Sequence, residues 1–294
     1  MRNCRWKYLF IAFFIYATTL AQGNSYTWWN NLHEWDLYTH WSSYMKTSPA
    51  FMGPNAFPIP LPERMVKIPE FDFRHSHHIN RGEIAWDFYS RFSIPVGDKA
   101  SLKFQINPLE YFKLDSILRN ERVARDEFPE AFAIGDLLVE MNALVYDNDN
   151  KQLLFNVGFK TASGSQFRNA RYTDTPGYYL NLSYYIRKMI NPNITIDYGA
   201  LLGLYVWQTY AVNHRQNDAI LAAFLFSFNY KEYEISQHIR GFRGYLENGD
   251  FPLIYALNIS KKWDSYQLYL QYQQSLHDYP YNSIQIGCKY TFKT

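Results

Sequence analysis

The chain has 294 residues, a formal net charge of +2 and 19% aromatic residues, including 26 Tyr and 22 Phe. Its mean hydropathy is negative and no long apolar run follows the N-terminus, which argues against a helical inner-membrane protein. Two cysteines and a near-neutral charge argue against a disulfide scaffold and against a nucleic-acid binder.

The first residues read as a signal peptide. Arg2, Arg5 and Lys7 form a positive start, Leu9 to Ala17 an apolar core, and Thr19-Leu20-Ala21 a small-residue cleavage site. Cleavage after Ala21 removes three positive charges and no acidic one, taking the net charge from +2 to −1. Cys4 leaves with it, and Cys288 alone remains.

Residues 22–66 differ from the rest. Trp28, Trp29, Trp35 and Trp41 precede Pro49, Pro54, Pro58, Pro60 and Pro62. The prolines cannot donate to a ladder and predict an extended connector. Three placements stay open for the Trp-rich part: an amphipathic helix at the membrane interface, a segment folded into a barrel mouth, or a loose leader.

From about residue 84 onward apolar side chains recur at every second position. A period of two predicts strands with one apolar and one polar face. About twelve strands are expected, near 68–79, 84–95, 100–112, 135–147, 151–161, 177–188, 193–206, 217–229, 232–241, 252–261, 265–274 and 282–292. The connections 96–99, 148–150, 189–192, 230–231 and 262–264 are short. Those at 113–134, 162–176, 207–216, 242–251 and 275–281 are longer, and only the short 80–83 hairpin breaks the alternation. Outer-membrane barrels sort their connections this way, with short periplasmic turns and long outer loops. The expected fold is therefore all-β: a transmembrane antiparallel barrel over residues 67–294, preceded by the Trp/Pro-rich segment.

Parity assigns the polar face to the lumen. Asp87, Arg91, Lys103, Glu140, Lys160, Asp197, Glu232, Glu234, His238 and Arg240 are the expected pore-lining residues. Rings of mixed charge either line a wet path or pair off as packing. The run Arg74-His75-Ser76-His77-His78 puts two histidines on one strand face without an evident third ligand, so no metal site is expected. Thr161-Ala162-Ser163-Gly164-Ser165 offers hydroxyls but no histidine to activate one, so no catalytic residue is assigned.

The segment Ile134-Gly135-Asp136-Leu137-Leu138-Val139 through Phe159-Lys160-Thr161-Ala162-Ser163-Gly164 resembles the phenol-degradation MetA-pathway family. There a Gly-Asp-Leu strand start is followed by a second strand ending in Pro-Thr-Gly; here the second element lacks the proline. The resemblance covers about thirty residues. It implies an outer-membrane barrel that passes small, often hydrophobic compounds. The aromatic-rich last strand also resembles the end signal read by barrel assembly machinery, although Lys293 and Thr294 follow Phe292.

The expected function is a bacterial outer-membrane channel or transporter for a small solute. Its partners are outer-membrane lipid and the solute; no cofactor and no nucleic acid are expected. The alternatives are a phospholipase-like enzyme and a non-transporting barrel that displays loops.

Overall fold

The computed structural model describes residues 26–148 and 150–293; the expected signal peptide lies outside them. The strands are β1 (Glu70–Asn80), β2 (Glu83–Val96), β3 (Ala100–Leu114), β4 (Glu130–Ala133), β5 (Leu138–Asn148), β6 (Lys151–Lys160) and β7 (Gly177–Asn191). They continue as β8 (Ile194–Ala211), β9 (His214–Tyr230), β10 (Tyr233–Gly244), β11 (Leu253–Trp263), β12 (Tyr266–His277) and β13 (Asn282–Thr291). Sequence neighbours pair antiparallel, and β1 closes on β13 with Glu70 opposite Thr291. β4 and β5 both pair with β3 and form one interrupted stave, so the result is a closed barrel of twelve staves.

Two expectations about the connections are corrected. Residues 207–216 are not a loop: β8 and β9 extend through them and meet at a two-residue turn, Val212–Asn213. The 113–134 connection is not only loop: it carries helix α2 (Ser116–Glu121) and β4, preceded in the chain by helix α1 (Thr27–Leu32). The 80–83 hairpin is tight because Gly82 takes φ +81°, a left-handed value glycine adopts without strain.

Alternation sets the two faces as expected. Leu202 is 64% exposed and its neighbour Leu201 3%. Ile220, Phe224, Leu268, Leu270, Ile284 and Ile286 join Leu202 in an outward apolar band. Aromatic clusters flank it. Trp86 stacks on Tyr111 near one end, and Tyr266, Tyr290 and Phe292 cluster at the other. Such girdles sit at the two interfaces of a membrane barrel.

One strand changes phase. On β3, Ser101, Lys103, Gln105 and Asn107 face inward, whereas beyond Pro108 it is Glu110, Phe112 and Leu114. The ladder to β2 shifts register there, between Phe88 and Ser90. A bulge is where a strand tolerates proline, and the extra residue re-aims every later side chain.

Much of the N-terminal segment packs inside the barrel, while residues 31–40 stay largely exposed. Trp29, Met45, Met52, Ala56, Phe57 and Ile59 are buried in one cluster with Leu201, Tyr205, Trp207, Leu221 and Phe242 of the wall. Burying each of the larger side chains contributes about 1.5–3 kcal/mol, which offsets the cost of ordering a strand-poor chain. Of the three placements the sequence left open, the folded-in one is adopted.

Candidate functional site

The site is the space left between this plug and the wall. At the long-loop end the plug is tied down by buried polar contacts. Glu83 on β2 meets Arg122, which follows α2, at 2.9 Å, and also bonds Arg171 of the 161–176 loop. Arg171 also reaches Glu110, and Tyr281 donates to Glu83 at 2.9 Å and to the Met52 carbonyl at 3.2 Å. Asn55 of the plug donates to Asp87 and Glu110 at 2.6 and 2.8 Å. Both arginines are fully buried, and a buried arginine is tolerated only with such partners. The Trp29 indole donates to the Val123 carbonyl at 3.1 Å, and Arg125 lies over the rings of Tyr26 and Trp41. Burial among those rings holds the Arg125 guanidinium below its ordinary pKa. Plug, loops and wall thus form one packed lid.

Further in, the strap Pro58–Glu63 stands away from β1–β3 and β10–β13 and leaves two cavities. The larger, about 280 Å³, is lined by Glu63, Asp72, Arg74, Arg91, Lys103, Glu140, Glu234, His238, Arg240 and Lys289. The smaller, about 130 Å³, is lined by Asn55, Arg74, His78, Asn107, Asp136, Lys160 and Arg240. Arg74, Tyr89, Gln105 and Arg240 border both, so they form the neck between them.

The ten expected residues divide as follows. Arg91, Lys103, Glu140, Glu234, His238 and Arg240 meet at the larger cavity, and Lys160 joins the smaller. Asp87 lies deeper, bonded to His78 at 2.7 Å. Asp197 faces inward near the short turns, where Arg187 holds it with two bonds of 2.8 Å. Glu232 is the correction: it is exposed in the Lys231–Glu232 turn, because β9 ends at Tyr230 and the alternation does not continue through a hairpin.

Most of the lumen charges pair. Glu63 of the plug accepts from Arg91 at 2.8 Å and Lys103 at 3.0 Å, and Lys103 bridges on to Glu140 at 2.7 Å. Tyr179, whose ring covers Gly158, donates to Glu140 at 2.6 Å. Glu63, Asp72, Arg74 and Lys289 line the cavity outside the expected set, Lys289 on the polar face that alternation gives the last strand. Asp72 and Arg74 were legible in principle, since they share parity with Ser76 and His78 on β1. Glu63 gave only one signal, a charge at the end of a proline ladder.

The histidine run splits by parity. His75 and His77 face outward, and His78 faces inward with Nδ1 at 2.8 Å from the Ser283 hydroxyl. Ser283, His78 and Asp87 therefore stand in a chain of hydrogen bonds, the connectivity of a hydrolase triad. The Ser283 side chain is fully buried, however, so no substrate carbonyl reaches it in this state.

The residues of the Gly-Asp-Leu resemblance form one bonded unit. Asp136 accepts from Lys160 at 2.8 Å and from the Gly164 amide at 2.7 Å. The Leu137 amide donates to the Thr161 and Ser163 hydroxyls, each at 3.1 Å. These bonds replace the ladder where the β4–β5 stave is interrupted.

No known protein family matches the sequence, and no curated protein matches it. Solved structures do. An outer membrane channel from Pseudomonas putida F1 superimposes with a TM-score of 0.53 at 10% identity, over 80% of this chain and 99% of its own. The NanC porin does so with a TM-score of 0.50 at 10% identity, over 76% and 100%. At such identity the likeness speaks for the fold alone. The chain has the fold of a bacterial outer-membrane β-barrel.

Proposed function

We propose that the chain is an outer-membrane channel or transporter for a small solute, held closed at rest by residues 26–57. The observation that carries this reading is the pair of charged cavities, which continue along the strap beneath a lid of loops and plug. A barrel of about eight strands fills its interior with side chains; at twelve staves this one leaves room beside a folded-in segment. The inward-facing charges are its candidate lining, and the outward apolar band its contact with lipid. The fold likeness to a channel and a porin supports this, as does the resemblance of residues 134–164 to the phenol-degradation family. The short turns are assigned to the periplasm, and residues 1–21 to an export signal.

One observation favours a second reading, a barrel that displays its loops and does not transport: the lid is sealed by fully buried ion pairs. Single-channel recording separates the two. Refolded protein in planar bilayers should show rare, brief openings, and Glu83→Gln should lengthen or multiply them. A silent wild type and an equally silent, folded Glu83→Gln variant would favour display.

A further inference from the structure

We infer that the neck between the two cavities is a binding site for a small organic carboxylate, clamped by Arg74 and Arg240. This deepens the transport reading by naming the solute class, and it rests on that reading only for the statement that the ligand passes.

The argument starts from charge. Of the cations around the larger cavity, Arg91 has Glu63 at 2.8 Å and Lys103 has Glu140 at 2.7 Å. Arg74 has no ion pair or hydrogen bond among the described residues; its guanidinium lies 4.2 Å over the Tyr89 ring, and its Nε is buried without a partner. Among the described residues Arg240 reaches only neutral acceptors, the Ile59 carbonyl at 3.0 Å and the Gln273 amide oxygen at 3.1 Å, and its Nε is likewise unpartnered there. The two positive charges act on each other, and the carboxylates that also act on them, Asp72 and Asp87 on Arg74 and Glu63 on Arg240, do so without a direct bond. The nearby carboxylates are engaged elsewhere: Asp72 with Arg91 and Tyr269, Asp87 with His78 and Asn55.

Neither guanidinium has a direct ion pair among the described residues, and a confined guanidinium with an unmet donor is unfavourable. An anion between them removes that cost. Guanidinium forks match a planar carboxylate, which accepts two parallel bonds from one fork and leaves its outer lone pairs for a second donor. A further polar atom points the same way. His238 shares the inward face with Arg240 two residues on, is 95% buried, and its Nε2 has no partner among the described residues. It lines the larger cavity and offers a third contact to a bound oxygen. Pro58, Ile59 and Leu138 border both cavities and give an apolar wall for the body of the ligand. The geometry therefore fits a carboxylate head on a small, partly apolar body.

Calorimetric titration of the refolded, detergent-solubilised chain tests this with sodium benzoate, with benzyl alcohol as its uncharged counterpart, and with inorganic phosphate as competitor. Benzoate should bind about tenfold or more tightly than benzyl alcohol, and equimolar phosphate should not displace it. Arg74→Gln and Arg240→Gln should each weaken benzoate by about tenfold, the corresponding Lys variants by less. Lys231→Gln, the same charge change in an exposed turn, should have no effect. Equal affinity of the wild type for benzoate and benzyl alcohol overturns the site without any variant having to fold. Displacement by phosphate on equal terms overturns the carboxylate class. Benzoate binding without conductance would leave the site standing and sink passage; conductance without benzoate binding does the reverse.

Discussion

At the scale of single residues, polarity on the inner face is stabilising only in pairs. Lys160 Nζ is bonded to Asp136, the Thr173 hydroxyl and the Thr175 carbonyl, and both charged side chains are nearly inaccessible. Lys160→Met should strand the Asp136 carboxylate and cost about 3–5 kcal/mol, whereas the double change Lys160→Met with Asp136→Leu should be far milder. A double-mutant cycle from denaturant unfolding in detergent would read this; equal losses in the single and double variants would argue against a coupled pair. The outer face obeys a different rule. Leu202→Arg should cost about 2–4 kcal/mol if the side chain lies near the midplane. Leu201 faces inward, where a wet lumen would tolerate arginine, but it packs against the plug. Leu201→Arg should therefore release the plug while the barrel still forms. Heat-modifiable gel mobility reports the barrel and limited proteolysis the plug; a plug that stays protected would contradict its docking there.

Among elements, register and sidedness follow from period two and from turns. Tyr245 lies exposed in the 245–252 loop and Lys231 in the opposite short turn. Single cysteines at these positions, in a Cys288→Ser background, should react with an impermeant maleimide on intact cells at Tyr245 and not at Lys231. The reverse pattern would invert the assigned orientation. Gly158 is a different kind of constraint: a Cβ there would sit 2.1 Å from the Tyr179 ring. Gly158→Ala should push that ring off Glu140 and leave Lys103 with a looser network. Reduced resistance of the barrel to thermal unfolding would show it, and an unchanged transition would mean the ring has somewhere else to go.

For the whole molecule, the decisive feature is that the plug is held by the wall and by several loops at once. Trp29, Met52 and Asn55 come from the plug, Arg122, Arg171 and Tyr281 from loops, and Glu83 and Glu110 from the barrel. Removing the plug removes partners from both others. Deletion of residues 26–57 should convert rare openings into a steady conductance, with the barrel still folded by gel mobility. A folded deletion variant with no conductance would place the closure elsewhere.

The barrel was legible from the chain alone. Alternation is a local property: each strand's side chains fall on two faces whatever their partners, so Leu202, Lys103 and Glu140 could be placed from the chain alone. The contents of the lumen depended on contacts between segments far apart in the chain. Glu63 meets Arg91 and Lys103 only because the proline strap threads the barrel, and Pro108 re-aims Glu110 only because the ladder slips there. One trace of the plug was present throughout: Leu201, Tyr205, Trp207 and Leu221 carry apolar side chains on the parity that a wet lumen would make polar. Periodicity tells which side a residue faces; only the tertiary structure decided what it meets there, because an inward apolar patch is a stable surface only once another segment covers it.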